Sequence, residues 1–306
     1  MTQFIIRRLL QTIPVLIGVT ILVFSLMHLT PGNPAVIMAG ESAPEATVRA
    51  IEARLGLNDP LHTQYWNFLT NALQLDFGNS IRDNIPVMNH IQARFFITFE
   101  LALYSMIFAV VMGLVVGIVS SVRQYSIEDI LLMIVALFGL SMPNFWLGLM
   151  LIQWFSIELG WFAPTGWGNL DQIVLPVIAL GTAGAAIIAR MTRSSMLDVV
   201  SQDYIRTARA KGVKERVVVF RHALKNALIP VVTVVGLQFG YFLGGSVLTE
   251  SVFAINGLGR LIIDSILQRD FPVVQGAVLV IAVMFVGVNL LVDISYKLLN
   301  KRVDLN

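Results

Sequence analysis

The chain contains no cysteine, which excludes disulfides, thiolate nucleophiles and cysteine-ligated metals, and leaves the redox compartment unread. Charge is scarce as well. Asp, Glu, Lys and Arg make up 13% of the 306 residues and 56% are hydrophobic, about half the charge usual in soluble domains. A water-soluble fold of that composition would expose large apolar patches, so the bilayer is predicted to be the solvent. The four histidines, His28, His62, His90 and His222, are scattered without metal-ligand spacing, and no metal site is predicted. There is no GxxxxGK[ST] loop and no Gly-Lys dipeptide, so the chain is not expected to hydrolyse ATP or to bind a cofactor. Neither GxSxG nor HExxH occurs, which leaves membrane proteolysis without a catalytic cluster. No repeat relates the two halves, as it does in many secondary carriers.

What the chain does have is apolar length. Leu9 to Leu29 is an uncharged run of 21 residues preceded by Arg7 and Arg8; as a helix it spans roughly 31 Å, the thickness of a hydrocarbon core. It is too long for a signal peptide, and HLTPGNPA follows in place of a cleavage site, so a retained first helix is predicted. Further spans are predicted at about 97–122, 130–157, 173–189, 231–248 and 273–291, six in all. Pro143 falls inside the third, where it predicts a broken helix and makes 141–144 a candidate cavity lining.

Residues 30–96 are polar enough to lie outside the membrane as a small helical subdomain. Ser42 and Glu45 have capping-box spacing around Pro44, and Gly56 is placed to stop that helix after Leu55. A second helix is predicted from Pro60 to about Leu73, with Tyr65, Leu69 and Ala72 or Leu73 on one face. The tripeptide Asn33-Pro34-Ala35 occurs once, whereas water channels use two on facing half-helices.

Orientation follows from Lys and Arg in the loops. The 190–230 connection holds nine, the 250–272 loop two and the 160–172 loop none. The first is therefore predicted to be cytoplasmic, and six spans put both termini on the same side. Arg7, Arg8, Lys297, Lys301 and Arg302 agree with that placement.

The basic connection carries seven cations between Ser201 and Pro230: Arg206, Arg209, Lys211, Lys214, Arg216, Arg221 and Lys225. Ser201 or Asp203 is predicted to cap a helix over Tyr204–Lys211, and Gly212 to end it in the left-handed conformation. Small residues at Thr207, Ala208 and Ala210 suit insertion into a groove. A second amphipathic stretch follows, with Val217, Phe220, Leu224 and Leu228 on one face and Arg216, Arg221 and Lys225 on another. Two readings fit the charge: a loop lying on anionic lipid, each cation being worth about 1 kcal/mol there, or a docking surface for another protein. Nucleic acid is not an expected partner, since the stretch offers no aromatic stacking platform.

DYIRTARAKG followed by RHALKNALIP resembles the cytoplasmic loop of ABC importer permeases, in particular the dipeptide, oligopeptide, nickel and glutathione family. HLTPGNPA, LGLNDPL with QYWNFL, DFGNS at Asp76–Ser80, GLQFGYFLGGSVLTESVF from Gly236 and NGLGRL from Asn256 resemble that family in order and spacing, along almost the whole chain. The general importer loop reads Glu-Ala-Ala, three residues, Gly. Here Arg206, Thr207 and Ala208 fill the first three places and Gly212 the last, so the Glu contact of other importers does not carry over. The resemblance implies a type I permease: an all-α integral membrane protein of six transmembrane helices, with an external helical insertion after the first and a cytoplasmic coupling helix between the fourth and fifth. It also implies that Asp203, Tyr204, Ile205, Arg206, Thr207, Ala208, Arg209, Ala210, Lys211 and Gly212 couple the pore to an ATPase. Implied partners are a second homologous permease, two ATP-binding subunits that hold ATP and Mg, an external solute-binding protein and the lipids of a bacterial inner membrane.

The domains expected are 1–29 (first span), 30–96 (external subdomain) and 97–306 (permease core with the 190–230 coupling segment). Polar residues within spans are costly and usually face a cavity or a partner. Ser141, Asn144, Gln153, Gln238, Ser246 and Glu250 are the candidates for a translocation pathway, with Glu100 and Asp293 nearer the interfaces. Gly240, Gly244 and Gly245 beside Gln238 also suit close helix packing, and Glu250 is placed at an outer end, to meet a binding protein or solvent. The expected function is half of an ATP-driven importer for di- or oligopeptides or glutathione. An autonomous channel or ion-coupled carrier is the alternative.

Overall fold

A computed structural model describes residues 2–29, 32–40 and 42–299, without the side chains of 2–5, 293 and 295–299. Asp293, Lys297, Lys301 and Arg302 therefore lie outside the described side chains, as do Thr30 and Pro31 of HLTPGNPA. Among the described residues the regular elements are helices, with one antiparallel bridge between Asn79 and Pro86. A bilayer core holds no water to satisfy backbone groups, and a helix satisfies its own.

Among the described residues, five helices are long and apolar enough to cross a membrane: Ile6–Leu29, Val87–Val122, Leu170–Val200, Glu215–Val252 and Phe271–Val292. The pair Ile127–Ser141 and Asn144–Glu158 is bent by 104° and makes the sixth when counted as one span. The break falls at the predicted proline. Met142 leaves the helix in an extended conformation (ψ 129°), and Pro143 precedes the next helix as its cap residue.

The chain divides into two compact units, 1–97 with 256–286 and 98–255 with 287–306. In the first, α1 (Thr2–Leu29) is followed by α2 (Pro34–Ala39), α3 (Glu45–Leu55) and α4 (Leu61–Leu73). The Asn33 side chain caps α2 by accepting from the Ala35 N–H at 2.9 Å, and its amide donates to Glu52 of α3 at 2.6 Å. Gly56 ends α3 at φ +66°, as predicted. The predicted Ser42 cap does not form: Pro44 holds the cap position in an extended conformation (ψ 141°) with no side-chain bond. The ring of Pro44 sets the entry geometry, and α3 begins without a hydroxyl.

Tyr65 fixes α4 to α1 through a 2.9 Å hydrogen bond to Thr20, beside Phe24, which meets the rings of Tyr65 and Phe68 at 5.4 and 5.9 Å. The first turns of α5 (Val87–Val122), then α12 (Leu258–Leu267) and the start of α13 (Phe271–Leu299), complete the unit. Two of its long-range ties are polar. Ser80, the last residue of DFGNS, donates to Asp270 at 2.5 Å across 190 residues, and Arg94 donates to Asn256, the first residue of NGLGRL, at 3.1 Å.

The second unit contains the rest of α5, α6 (Ile127–Ser141), α7 (Asn144–Leu151) with a π-helical continuation over Ile152–Glu158, and α8 (Leu170–Val200). It continues with α9 (Asp203–Ala210), α10 (Glu215–Val217), a π-helical turn over Val218–Ala223 and α11 (Leu224–Val252). Close helix approach rests on Gly113 and Gly117 of α5, where a Cβ would stand 2.6 Å from Ile188 and 2.5 Å from Thr192 of α8. Small residues four apart let helix backbones meet, which supplies packing that lipid alone does not drive.

Candidate docking interface

An isolated helix of eight residues is marginal in water, because nucleation fixes several residues for one hydrogen bond. Helix α9 is therefore held by what surrounds it. Ile205 is fully buried in an apolar cluster with Met196 of α8 and Val218, Val219, Ala223 and Ala227 beyond α9. Burying a side chain of that size contributes about 1.5–3 kcal/mol. The Tyr204 hydroxyl accepts from Asn226 at 2.7 Å. Arg209 forms a two-pronged pair with Glu215, at 3.1 and 2.7 Å, across the turn that follows the helix. Those bonds raise the Arg209 pKa above its ordinary value.

Gly212 lies at φ +75°, the left-handed position predicted for it, and its N–H returns to the Arg209 carbonyl at 2.9 Å while Val213 N–H reaches Ala208 at 3.3 Å. The start of the helix differs from prediction. It begins at Asp203 after Gln202, and neither Ser201 nor Asp203 caps it through a side chain. The Ser201 hydroxyl is already committed to the Asp198 carbonyl at 2.8 Å. Asp203 instead places a negative charge in the first turn, where the helix dipole favours it.

Only Ile205 and part of Ala208 face inward. Asp203, Tyr204, Arg206, Thr207, Arg209, Ala210, Lys211 and Gly212 are exposed, so the predicted residues form one accessible hook with a single apolar root. The second amphipathic face is the predicted one only at Leu224, which packs against the same cluster, and at the half-buried Leu228. Val217 and Phe220 point outward, Phe220 with 54% of its surface exposed, while Val218, Val219, Ala223 and Ala227 turn in. The cause is the π-helical turn over Val218–Ala223. A π turn advances less per residue than an α turn, so a face read at the α period falls out of phase. Phe220 and Val217 add apolar surface to the exposed Tyr204.

The pathway candidates separate. Ser141 is exposed and Asn144 half-buried, on either side of the Pro143 break; Gln153 is exposed, its amide 3.2 Å from Glu158, and Gln238 is half-buried. Ser246 and Glu250 are fully buried. Glu250, expected at an exposed outer end, accepts from the Thr98 hydroxyl at 2.7 Å, because a carboxylate facing the interior needs donors and Thr98 of α5 supplies one. Glu100 accepts from the Trp167 indole at 3.2 Å. The glycine packing face is only partly the expected one: Gly240 is buried and a Cβ on Gly245 would meet Leu180 of α8 at 3.7 Å, but one on Gly244 would meet nothing within 4 Å, whereas one on Gly236 would stand 2.1 Å from Val292. Gly244 instead belongs to an exposed stripe of α11 with Leu237, Tyr241 and Leu248. The spacing of those residues, four, three and four, was readable in the sequence; their exposure was not.

In the first unit, α1, α4, α5 and α13 border an open apolar groove of about 640 Å³ whose polar lining is Thr20 and Gln92. Thr20 is already bonded to Tyr65. The space suits hydrocarbon and lacks the polar groups that would orient a peptide.

Two family models cover the chain. Residues 109–305 match the binding-protein-dependent transport system inner membrane component, and residues 1–102 match the N-terminal model of such membrane components. The glutathione transport system permease protein GsiC of Escherichia coli strain K12 is 46% identical over 303 residues, with 99% of each chain covered. Its counterpart in Pectobacterium atrosepticum is 48% identical over the same share. Among solved structures, the inward-facing MetNI methionine ABC transporter aligns with a TM-score of 0.61 at 19% identity, over 70% of this chain and 97% of that one. At that identity the likeness establishes the fold alone.

Proposed function

The chain belongs to the family of binding-protein-dependent transport system inner membrane components, and on that footing we propose that it is one of two homologous permease halves of an ATP-driven importer for glutathione or similar short peptides. The family is the membrane component of such systems, not their ATPase. The substrate class rests on relatives 46% and 48% identical along the whole chain. Two ATP-binding subunits hold the ATP and Mg, and an external solute-binding protein delivers the cargo.

The observation that carries the mechanism is the α9 hook: an exposed basic helix rooted in the chain's own interior by Ile205 and continuous with both α8 and α11. An ATPase cleft that takes Tyr204, Arg206, Thr207, Ala210 and Lys211 would move α9 as a body. Its displacement then passes to the two helices it joins. In this reading the 190–230 segment and both termini are cytoplasmic. The exposed α11 stripe of Leu237, Tyr241, Gly244 and Leu248 faces the other permease half, and Ser141, Asn144, Gln153 and Gln238 supply polar groups to the path. Ser246 and Glu250 support the helices from within.

The test is reconstitution in liposomes with the second permease, the ATPases and the binding protein. Ala208→Glu places a carboxylate and Gly212→Pro a rigid ring in the hook; each is expected to abolish uptake while the chain still inserts. Normal uptake by both variants with the ATPase retained sinks the docking role. Substrate flux through the chain alone, without ATPases, would establish the autonomous-carrier reading instead.

A further inference from the structure

We propose that Asp129 and Arg193 are the positioning residues that make the α5–α6 hairpin follow α8 when the hook moves, an inference that rests on the docking reading of α9. The geometry is a two-pronged fork. Arg193 Nε donates to Asp129 Oδ1 at 2.8 Å and its terminal nitrogen to Oδ2 at 2.7 Å, joining α8 to the first turn of α6 across 64 residues. The Asp129 side chain is 4% exposed and that of Arg193 24%. The same carboxylate accepts from the Ser120 hydroxyl near the end of α5 and from the Tyr125 N–H at 2.9 Å in the turn between the two helices. The Asp129 N–H in turn donates to Ser126 at 3.2 Å. One side chain thus ties the end of α5, the turn and the start of α6 to a single cation on α8. It also holds Tyr125 at φ +62°, a conformation that a non-glycine residue rarely adopts without such support.

Three features make this a mechanical link and not only a staple. First, Arg193 lies one turn before Met196, which with Val199 and Val200 brings α8 to the cluster around the hook's Ile205, so the fork sits next to where α8 receives the motion. Second, a fork of two parallel hydrogen bonds constrains orientation as well as distance, which apolar contact does not. Third, the seam beyond it is close at Gly139, where a Cβ would stand 2.8 Å from Thr182, and opens beside it into an apolar cavity of about 140 Å³ between α5, α6 and α8. That cavity precedes the helix break at Pro143, so a displacement of α6 reaches the bent pair from the Asp129 end. Buried apolar side chains would join the helices without desolvating two charges; the fork adds directional control.

The experiment uses the complete transporter in liposomes and reads the ratio of substrate imported to ATP hydrolysed. Asp129→Asn keeps the size of the side chain and loses its charge; Arg193→Lys keeps the charge and loses the fork. Both are expected to retain the ATPase subunits while the ratio falls at least tenfold for Asp129→Asn and several-fold for Arg193→Lys. Spin labels at the exposed Ile127 and at the exposed Lys214, outside the residues given to the ATPase cleft, are expected to keep one separation through the ATP cycle in the parent and to acquire a second in Asp129→Asn. An unchanged ratio and a single separation in the variants that assemble would overturn the proposal, and Arg193→Lys decides alone if Asp129→Asn fails to assemble. Failure of the docking reading shows differently: Ala208→Glu would then retain the ATPase and full uptake.

Discussion

Asn226 donates its side-chain amide to the hydroxyl of Tyr204, 22 residues earlier, at 2.7 Å. The bond joins the hook to the foot of α11 beside the contact made by Ile205, so that two of its first three residues are anchored. Removing the hydroxyl with Tyr204→Phe leaves the Asn226 amide a longer bond to the His222 carbonyl, at 3.5 Å. The expected loss is about 0.5–1.5 kcal/mol in the local stability of α9. Amide hydrogen exchange over 203–212 in the purified protein should accelerate by up to about tenfold, with the spans unchanged. Unchanged exchange would show that Ile205 alone holds the helix.

Gly212 isolates a backbone effect from a packing effect. At φ +75° a Cβ would meet nothing within 4 Å, so Gly212→Val is disfavoured by conformation and not by collision. A cost of about 1–2 kcal/mol is expected for the left-handed residue, and Gly212→Asn should cost visibly less, since Asn is enriched in that region among residues other than glycine. Thermal unfolding of the hook, followed by proteolysis between Lys211 and Lys214, gives the order glycine, asparagine, valine. A reversed order would mean that a side chain at 212 finds a partner.

Gly236 presents the opposite case. Its Cβ would stand 2.1 Å from Val292 Cγ1, so Gly236→Ala must push α11 and α13 apart or force a rotamer. Overpacking of this kind costs about 1–3 kcal/mol. The double variant Gly236→Ala with Val292→Ala is expected to recover most of the melting temperature in detergent, whereas Val292→Ala alone should lower it modestly. Failure of the double variant to recover would place the strain elsewhere.

Glu250 distinguishes support from substrate contact. Glu250→Gln keeps an acceptor for the Thr98 hydroxyl, while Glu250→Leu leaves that buried hydroxyl without it, at a cost of about 1–3 kcal/mol. Leu is therefore expected to unfold earlier than Gln, and the apparent affinity of uptake should stay constant in whatever fraction remains folded. A shift in substrate preference with Gln would return Glu250 to the pathway.

The features legible in the sequence were those with local causes. An uncharged run long enough for a bilayer, a proline inside a span and a glycine after a short helix each act within a few residues. The five long apolar helices, the bent pair broken at Pro143 and the stops at Gly56 and Gly212 follow from them. Caps were less legible, because a serine hydroxyl has several acceptors within reach: Ser201 chose the carbonyl of Asp198, and α3 begins after a proline. The amphipathic face after the hook was misassigned at Val217 and Phe220 because the α period does not hold through a π turn. Arg193 counted in the sequence only as one more cation on the basic side. Nothing in its neighbourhood specified an aspartate 64 residues earlier, because that pairing is created by the packing of α6 on α8. The ties of Ser80 to Asp270 and Arg94 to Asn256 are hidden for the same reason, although two of these four residues, Ser80 and Asn256, lie in the motifs DFGNS and NGLGRL.

The π turn over Val218–Ala223 has a further consequence for how such a chain can vary. Such a turn accommodates one residue more than the α-helix that would replace it. Deleting a single residue there would restore α pairing and leave the helix on either side nearly in register, because the wider turn holds the residue that is lost. A deletion in the first α-helical turn of α11, at Leu224–Ala227, would instead rotate everything before it by about 100° around the axis of α11 and point Arg206 and Lys211 to a different quarter of the surface, with no residue of the hook altered. The aim of the hook is therefore encoded as a count, and a length change should be tolerated far better in the π turn than in the turn that follows it.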